Sequence, residues 1–214
     1  MSDTRCIRLS VITLVIAMCM FLAVPGPASA QLPLPLPIGG GGSSSPSGTS
    51  ATALAATVLG STTTFASTGD LASATDAVGS ELDSASADLG SAAVLHATAI
   101  GSGDYGYVTS EASLGDLVLS IAGTQISATS AYATALADSA AGTSGWSTVD
   151  GLAVNGTSVV PTGDANQTIN LGVITLVLNE VTQSGSGIVV NALHVTSLDG
   201  TVDVVVASAT AIIP

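Results

Sequence analysis

The chain has 214 residues, a formal net charge of −13, fifteen acidic residues and only two of Lys or Arg. Phosphate recognition rests on cationic side chains, so this balance excludes nucleic acid as a partner. With 8% charged and 47% hydrophobic residues the chain is not an acidic solvating tail either, and Ser, Thr, Ala and Gly must form most of its surface.

Residues 1–30 read as a secretory signal peptide. Arg5 and Arg8 supply a basic start, residues 11–24 an apolar run, and Ala28-Ser29-Ala30 a small-residue cleavage site before Gln31. The run is short for a membrane span and Pro25 follows it, so no stable span is expected after cleavage. Cleavage removes Cys6 and Cys19 with both arginines, leaving fourteen acids (all but Asp3) and no Lys or Arg. The mature chain then has neither a disulfide nor a strong cation. Its ion pairs are limited to His96, His194 and the new N-terminus.

Residues 31–50, QLPLPLPIGGGGSSSPSGTS, alternate Leu with Pro and then run through Gly and Ser, the composition of an extended, flexible tether. Residues 51–214 are assigned to a single β-rich domain. Its roughly 160 residues suffice to bury about 70% of the unfolded-state surface.

Within the domain, residues 51–67 are rich in Thr, Ala and Val and contain a first strand. Leu71, Val78, Leu82, Ala85 and Leu89 then recur at helical spacing behind Asp70 as an N-cap, so one short helix is expected near residues 70–90. From Ser91 onward the pattern is β. Strands are expected over residues 92–100 and 105–112, then through Leu117, Leu119 and Ile121 to a turn at Gly123-Thr124. Residues 126–138 form a long run of small residues that should lie flat. Asn155-Gly156 is a type I′ hairpin signal that sets Val154 opposite Thr157 and Leu152 opposite Val159. Pro161 ends that strand and residues 167–171 open the next.

Residues 173–213 hold three β-branched-rich runs, separated by TQSGSG and TSLDG, and read as an antiparallel meander. A two-residue type I′ loop at Asp199-Gly200 pairs Val195 with Val204 and Leu193 with Val206. Leu193, Val195, Val202, Val204 and Val206 then share the buried face. His194, Thr196, Thr201, Val205 and Asp203 share the other. The fold class is accordingly all-β, an antiparallel sandwich or barrel.

Several segments together resemble the choice-of-anchor P family of secreted bacterial domains. These are SLGDLVLSIAGTQISATSAYATA, STVDGLAVNGTSVV, NQTINL, ITLVLNE, VVNALHV and VDVVVASATA, with Leu178-Asn179-Glu180 and Asn191-Ala192-Leu193-His194 the more specific parts. The resemblance runs from about Ala92 onward and implies an extracellular or surface module with no assigned activity. The chain departs from the pattern in its last run, where Ala207-Ser208-Ala209-Thr210 stands in place of an expected histidine. It also departs after Ile213-Pro214, where no sorting motif or hydrophobic tail follows.

Candidate chemistry is sparse. His194 and Asp203 are diagonal neighbours in the C-terminal hairpin, about 7–8 Å apart at Cα. With Glu180 they are the weak candidates for a metal site, and Glu180 and Asp203 for carboxylate-based hydrolysis. Asp199 joins Asp203 and Glu180 as an oxygen-ligand set for calcium, set against its reading as a turn aspartate. His96 can contribute only if the fold brings it near. No Gly-x-Ser-x-Gly elbow occurs. The aromatics Phe65, Tyr105, Tyr107, Tyr132 and Trp146 are expected in core or hairpin packing, and the sequons at Asn155 and Asn166 are read as turn chemistry. No catalytic residue, metal or cofactor is assigned. The function expected is a secreted, non-enzymatic module, structural or interacting with cell-envelope or extracellular polymer. A ligand- or glycan-binding module is the first alternative and a hydrolase the second.

Overall fold

The computed structural model describes residues 48–213, the side chain of Asp104 excepted. The segment read as a signal peptide and nearly all of the one read as a tether lie outside the described residues. Thirteen strands make two antiparallel sheets. The first runs β10 (Gln167–Asn170), β11 (Ile174–Ser184), β12 (Gly187–Ser197), β13 (Val202–Ile212), β1 (Ser50–Val58) and β2 (Ser61–Ser67). The second runs β3 (Ala77–Ala87), β4 (Gly90–Ser102), β5 (Tyr107–Ile121), β6 (Thr124–Asp138), then β8 (Ala153–Val154) and β9 (Thr157–Ser158). There β7 (Gly142–Asp150) pairs with the other half of β6. The all-β expectation holds, and the sheets stack as a sandwich.

β13 at the centre of the first sheet packs over β5 and β6 at the centre of the second. One end of the core is built from Leu117, Ile121, Ile126, Ile174, Leu176 and Leu193. The other is built from alanines such as Ala97, Ala112, Ala133, Ala135 and Ala209. At the alanine end the sheets are close enough for the buried Ser110 hydroxyl on β5 to donate to the Thr210 carbonyl on β13, at 2.9 Å. Thr49 is also buried. It bonds through its hydroxyl to the backbone of Ile212, and its carbonyl accepts the Leu71 N–H, so ordered packing starts just before β1.

The pairings read from the two turns hold. Leu193 faces Val206, Val195 faces Val204, and Val154 faces Thr157. Asn155 and Gly156 both have positive φ, as a type I′ turn requires. At Asp199-Gly200 the expected turn type is corrected. Only Gly200 has positive φ, its N–H bonds the Ser197 carbonyl, and the Asp199 carboxylate accepts from Thr201. The loop is longer than two residues but keeps the register.

Two other expectations are corrected, the helix and the position of one turn. No helix forms near residues 70–90: residues 77–87 are β3, an edge strand paired with β4. The first strand expected within residues 51–67 is β1, and β2 follows it after Leu59-Gly60. The turn expected at Gly123-Thr124 lies one residue earlier, at Ala122-Gly123, and both members of each pair have positive φ. The aromatics pack as expected, Phe65 against the core and Tyr132 with Trp146 across the β6–β7 hairpin, though several are well exposed. Trp146 is 54% and Tyr105 78% exposed.

Simple alternation fails in one place on each sheet. Along β13 the buried positions are Val204 and Val206, then Ala209 and Ala211, so the inward parity changes at Ala207. Along β12 it changes between Ala192 and Leu193, and along β1 between Ala53 and Leu54. The pairings place Asn179, Ala192, Ala207, Ala53 and Ala66 in one row across the sheet. In that row Asn179, Ala207 and Ala66, on alternate strands, take φ of 48°, 49° and 48°. A left-handed residue here sends the side chains before and after it to opposite faces, Leu178 inward and Glu180 outward about Asn179, and Val206 inward and Ser208 outward about Ala207. Because neighbouring strands change parity at the same level, no pairing is shifted. The second sheet has a similar reversal near Val94, Asp116 and Gly151, where β5 passes from Leu114 to Leu117 as successive buried positions, but there the β4–β5 pairing is locally irregular around Ala93.

Among the described residues no helix is long and apolar enough to cross a membrane.

Candidate functional site

The pleat reversal brings the sequence candidates together. His194 faces outward on β12, with Asp203 outward on the neighbouring β13. Strict alternation from Leu176 and Leu178, both buried, would turn Glu180 inward. The left-handed turn at Asn179 sends it outward instead, onto the face of His194. Asn191, opposite Glu180, is brought to the same face by the parity change at Ala192.

The His194 imidazole lies between two carboxylates. Nδ1 is 2.9 Å from Glu180 Oε2 and 3.1 Å from its Oε1, and Nε2 is 3.0 Å from Asp203 Oδ2. A neutral imidazole carries one N–H and would set a lone pair against one of the acids, whereas imidazolium donates to both. Burial opposes the charged form, but the hydrogen bonds from Asp203 and Glu180 and the charges of both outweigh it, and the pKa is raised above 6.5. Asn191 Nδ2 donates to Glu180 Oε2 at 2.6 Å, while Asn191 Oδ1 is buried and has no hydrogen-bond donor among the described residues. The His194 side chain is 21% exposed, Glu180 25% and Asp203 47%, so the ring is shielded and the acids are wetter.

Chemically, this is an imidazolium clamp. Both ring nitrogens are engaged by carboxylates, leaving no free lone pair for a metal ion or a base. The imidazole also fills the gap between Glu180 and Asp203, where paired-carboxylate hydrolysis would need water and a sugar. Among the described residues no group of three or more His, Cys, Asp or Glu is arranged to hold a metal ion. An open groove of about 290 Å³ nearby is lined by Ser147, Asp150, Thr162, Asp164, Gln167 and Asn179 among others, and does not include His194, Glu180 or Asp203. Ser147 donates to Asn179 Oδ1 there at 2.9 Å, tying β7 to the reversal.

The other candidates stand apart. Asp199 stays in its turn, where Ser197 Oγ donates at 2.6 Å and Thr201 through both N–H and hydroxyl. These bonds hold its pKa down at about 2. His96 lies on the other sheet with its own acid, Nδ1 being 3.1 Å from Glu81 and Nε2 2.7 Å from the Thr98 hydroxyl. Asn155 and Asn166 both have positive φ and cap neighbouring backbone, accepting from the N–H groups of Gln125 and Val181. Sequence reasoning missed Asn191. It also missed the mechanism that carries Glu180 to the site, for which an Asn before Glu180 was the one available cue, since Asn tolerates the left-handed region.

No family model, curated protein or solved structure matches this chain.

Proposed function

We propose that this chain is a secreted bacterial extracellular or cell-surface module of the choice-of-anchor P type, non-enzymatic, with a structural or interaction role. The observation that carries the reading is the state of His194. The residue best suited to acid–base or metal chemistry has both nitrogens committed to Glu180 and Asp203, so the cluster ties β11, β12 and β13 together on their outer face. Removing either acid would leave a half-buried cation with one partner, the behaviour of a structural clamp. The basic, apolar and small-residue segments ahead of Gln31 support export, and the Pro/Gly/Ser tract supports a tethered sandwich.

The test is expression of the full chain in a bacterial host, followed by fractionation and mass spectrometry. The expected product is outside the cytoplasm and begins at Gln31. Since Arg5 and Arg8 are the only Lys or Arg, that product resists trypsin even when denatured. A chain retained inside with Met1 intact, or a hydrolytic activity abolished by Glu180→Gln, would refute the proposal.

A further inference from the structure

Tyr105, Tyr107, Tyr132 and Trp146 gather at one face, the outer side of the β3–β7 sheet. Tyr107, Tyr132 and Trp146 occupy its outward positions, and Tyr105 stands in the 3₁₀ turn just before β5. Two adjacent rows of pairing define the face. One runs His96, Ser113, Tyr132, Thr148, and the next runs Thr98, Glu111, Thr134, Trp146. Trp146 is turned outward because β7 is held tightly beneath it. A Cβ on the preceding Gly145 would lie 2.6 Å from Val190 Cγ2 and 2.7 Å from the Thr134 carbonyl. The indole and the Tyr132 ring are 5.1 Å apart at 45°, and among the described residues the indole N–H has no hydrogen-bond partner. Tyr132 is partly buried, which with the neighbouring Glu111 carboxylate raises its pKa, so its phenol stays a donor. Tyr107 lies two rows beyond Trp146, about 13 Å along the strands, and its ring is 6.4 Å from the exposed Tyr105 ring.

We infer that this face is a docking platform for a neutral polysaccharide. Aromatic rings offer apolar, electron-rich faces that suit the C–H side of a sugar ring, while Thr98, Thr134, Thr148 and Glu111 offer hydroxyl and carboxylate partners for its alcohols. Charge selects the class. Glu81, Glu111 and Asp138 face the same side, and no Lys or Arg occurs after Arg8, so anionic polymers and lipid surfaces are repelled. The two aromatic groups lie along the strand direction on a sheet surface, which fits an extended chain better than a single sugar. The inference rests on the extracellular reading above and names the partner class for it.

Trp146 is the only tryptophan, so its emission reports on this face directly. The secreted protein is titrated with laminarin, hydroxyethyl cellulose, xyloglucan, galactomannan and dextran, with alginate as the anionic and chitosan as the cationic control. At least one neutral polymer should give a saturable emission shift, and alginate none. In affinity electrophoresis against that polymer, Trp146→Ala should weaken binding by at least about tenfold. Trp146→Phe should retain part of the affinity, His194→Gln should leave it unchanged, and circular dichroism should show each variant folded. No shift with any neutral polymer, binding to chitosan alone, or binding unmoved by both Trp146→Ala and Tyr132→Ala would overturn the inference. A shift with casein but with no glycan would assign the face to protein. A correctly exported protein that fails here refutes this platform alone, whereas failed export refutes the extracellular reading and leaves the glycan titration to be scored separately.

Discussion

Four aspartate substitutions along β13 test the parity change at Ala207. Val204 and Ala209 are both fully buried, while Val205 and Ser208 lie toward solvent. An uninterrupted strand that buries residue 204 would bury 208 and expose 209. A carboxylate placed in this core meets no cation and is forced to protonate, with its pKa raised by about 3–5 units. At 1.36 kcal/mol per unit, and because the cost stops growing once the folded-state carboxyl is protonated, that is about 4 kcal/mol at pH 7. For Val204→Asp the lost burial of a valine adds about 1.5–3 kcal/mol. The total, about 6–7 kcal/mol, is comparable to the whole stability of a domain. For Ala209→Asp the added volume costs about 1–3 kcal/mol instead. Val205→Asp and Ser208→Asp should change stability by about 1 kcal/mol or less, as surface substitutions do. In urea, with a slope of about 2 kcal/mol per molar, a 6 kcal/mol loss lowers the midpoint by about 3 M. The damaged proteins should recover partly on acidification, because their folded-state carboxyl takes up the proton more readily than the unfolded one. Ser208→Asp as damaging as Val204→Asp, with Ala209→Asp tolerated, would refute the reversal.

Three further outcomes are expected. Val94 is β-branched, 72% exposed and held at φ 50°, so Val94→Asn should raise stability by about 1 kcal/mol in urea unfolding, and a loss would contradict the left-handed conformation. Gly145→Ala should cost about 1–3 kcal/mol by pushing β7 from β12, read from the same urea curves. The raised His194 pKa means that its stabilisation is full below about 6.5, the unfolded value, and is lost as pH rises through the folded value. The melting-temperature gap between the native protein and His194→Gln should therefore be widest at acidic pH and shrink toward alkaline pH, with added chelator making no difference. A gap that widens with pH would reverse the assignment.

The hairpin register around Asp199-Gly200 was readable because a turn signal and the alternation of Leu193, Val195, Val202, Val204 and Val206 pointed to the same pairing. That agreement survived even though the turn type differed, since the loop grew symmetrically. The helix expected near residues 70–90 arose where alternation is weakest. β3 is an edge strand whose one fully buried residue is Ala85, so no period of two is written in it, and Leu71, Val78 and Leu82 mimic a helical stripe by chance. His194 and Asp203 could be paired from the hairpin alone. Glu180 could be named but not placed, because its face depends on the backbone of Asn179. Ala207 and Ala66 share that left-handed geometry and carry no compositional mark of it. The aromatics were legible as core or hairpin packing, but the exposure of Trp146 was not, because it depends on Gly145 and the contact beneath it, a property of packing between sheets.

The aligned reversal row also acts on assembly. In a plain sheet, sliding one strand past its neighbour by two residues leaves every side chain on its proper face, which makes such slips hard to reject. Here a two-residue slide would set the left-handed residue of one strand out of step with its neighbours, and the stretch between would turn outward residues into the core. The row on the first sheet thus works as a keyway, admitting one alignment of five strands at once. A chain with no disulfide among the described residues gains in this way a device for choosing its own register.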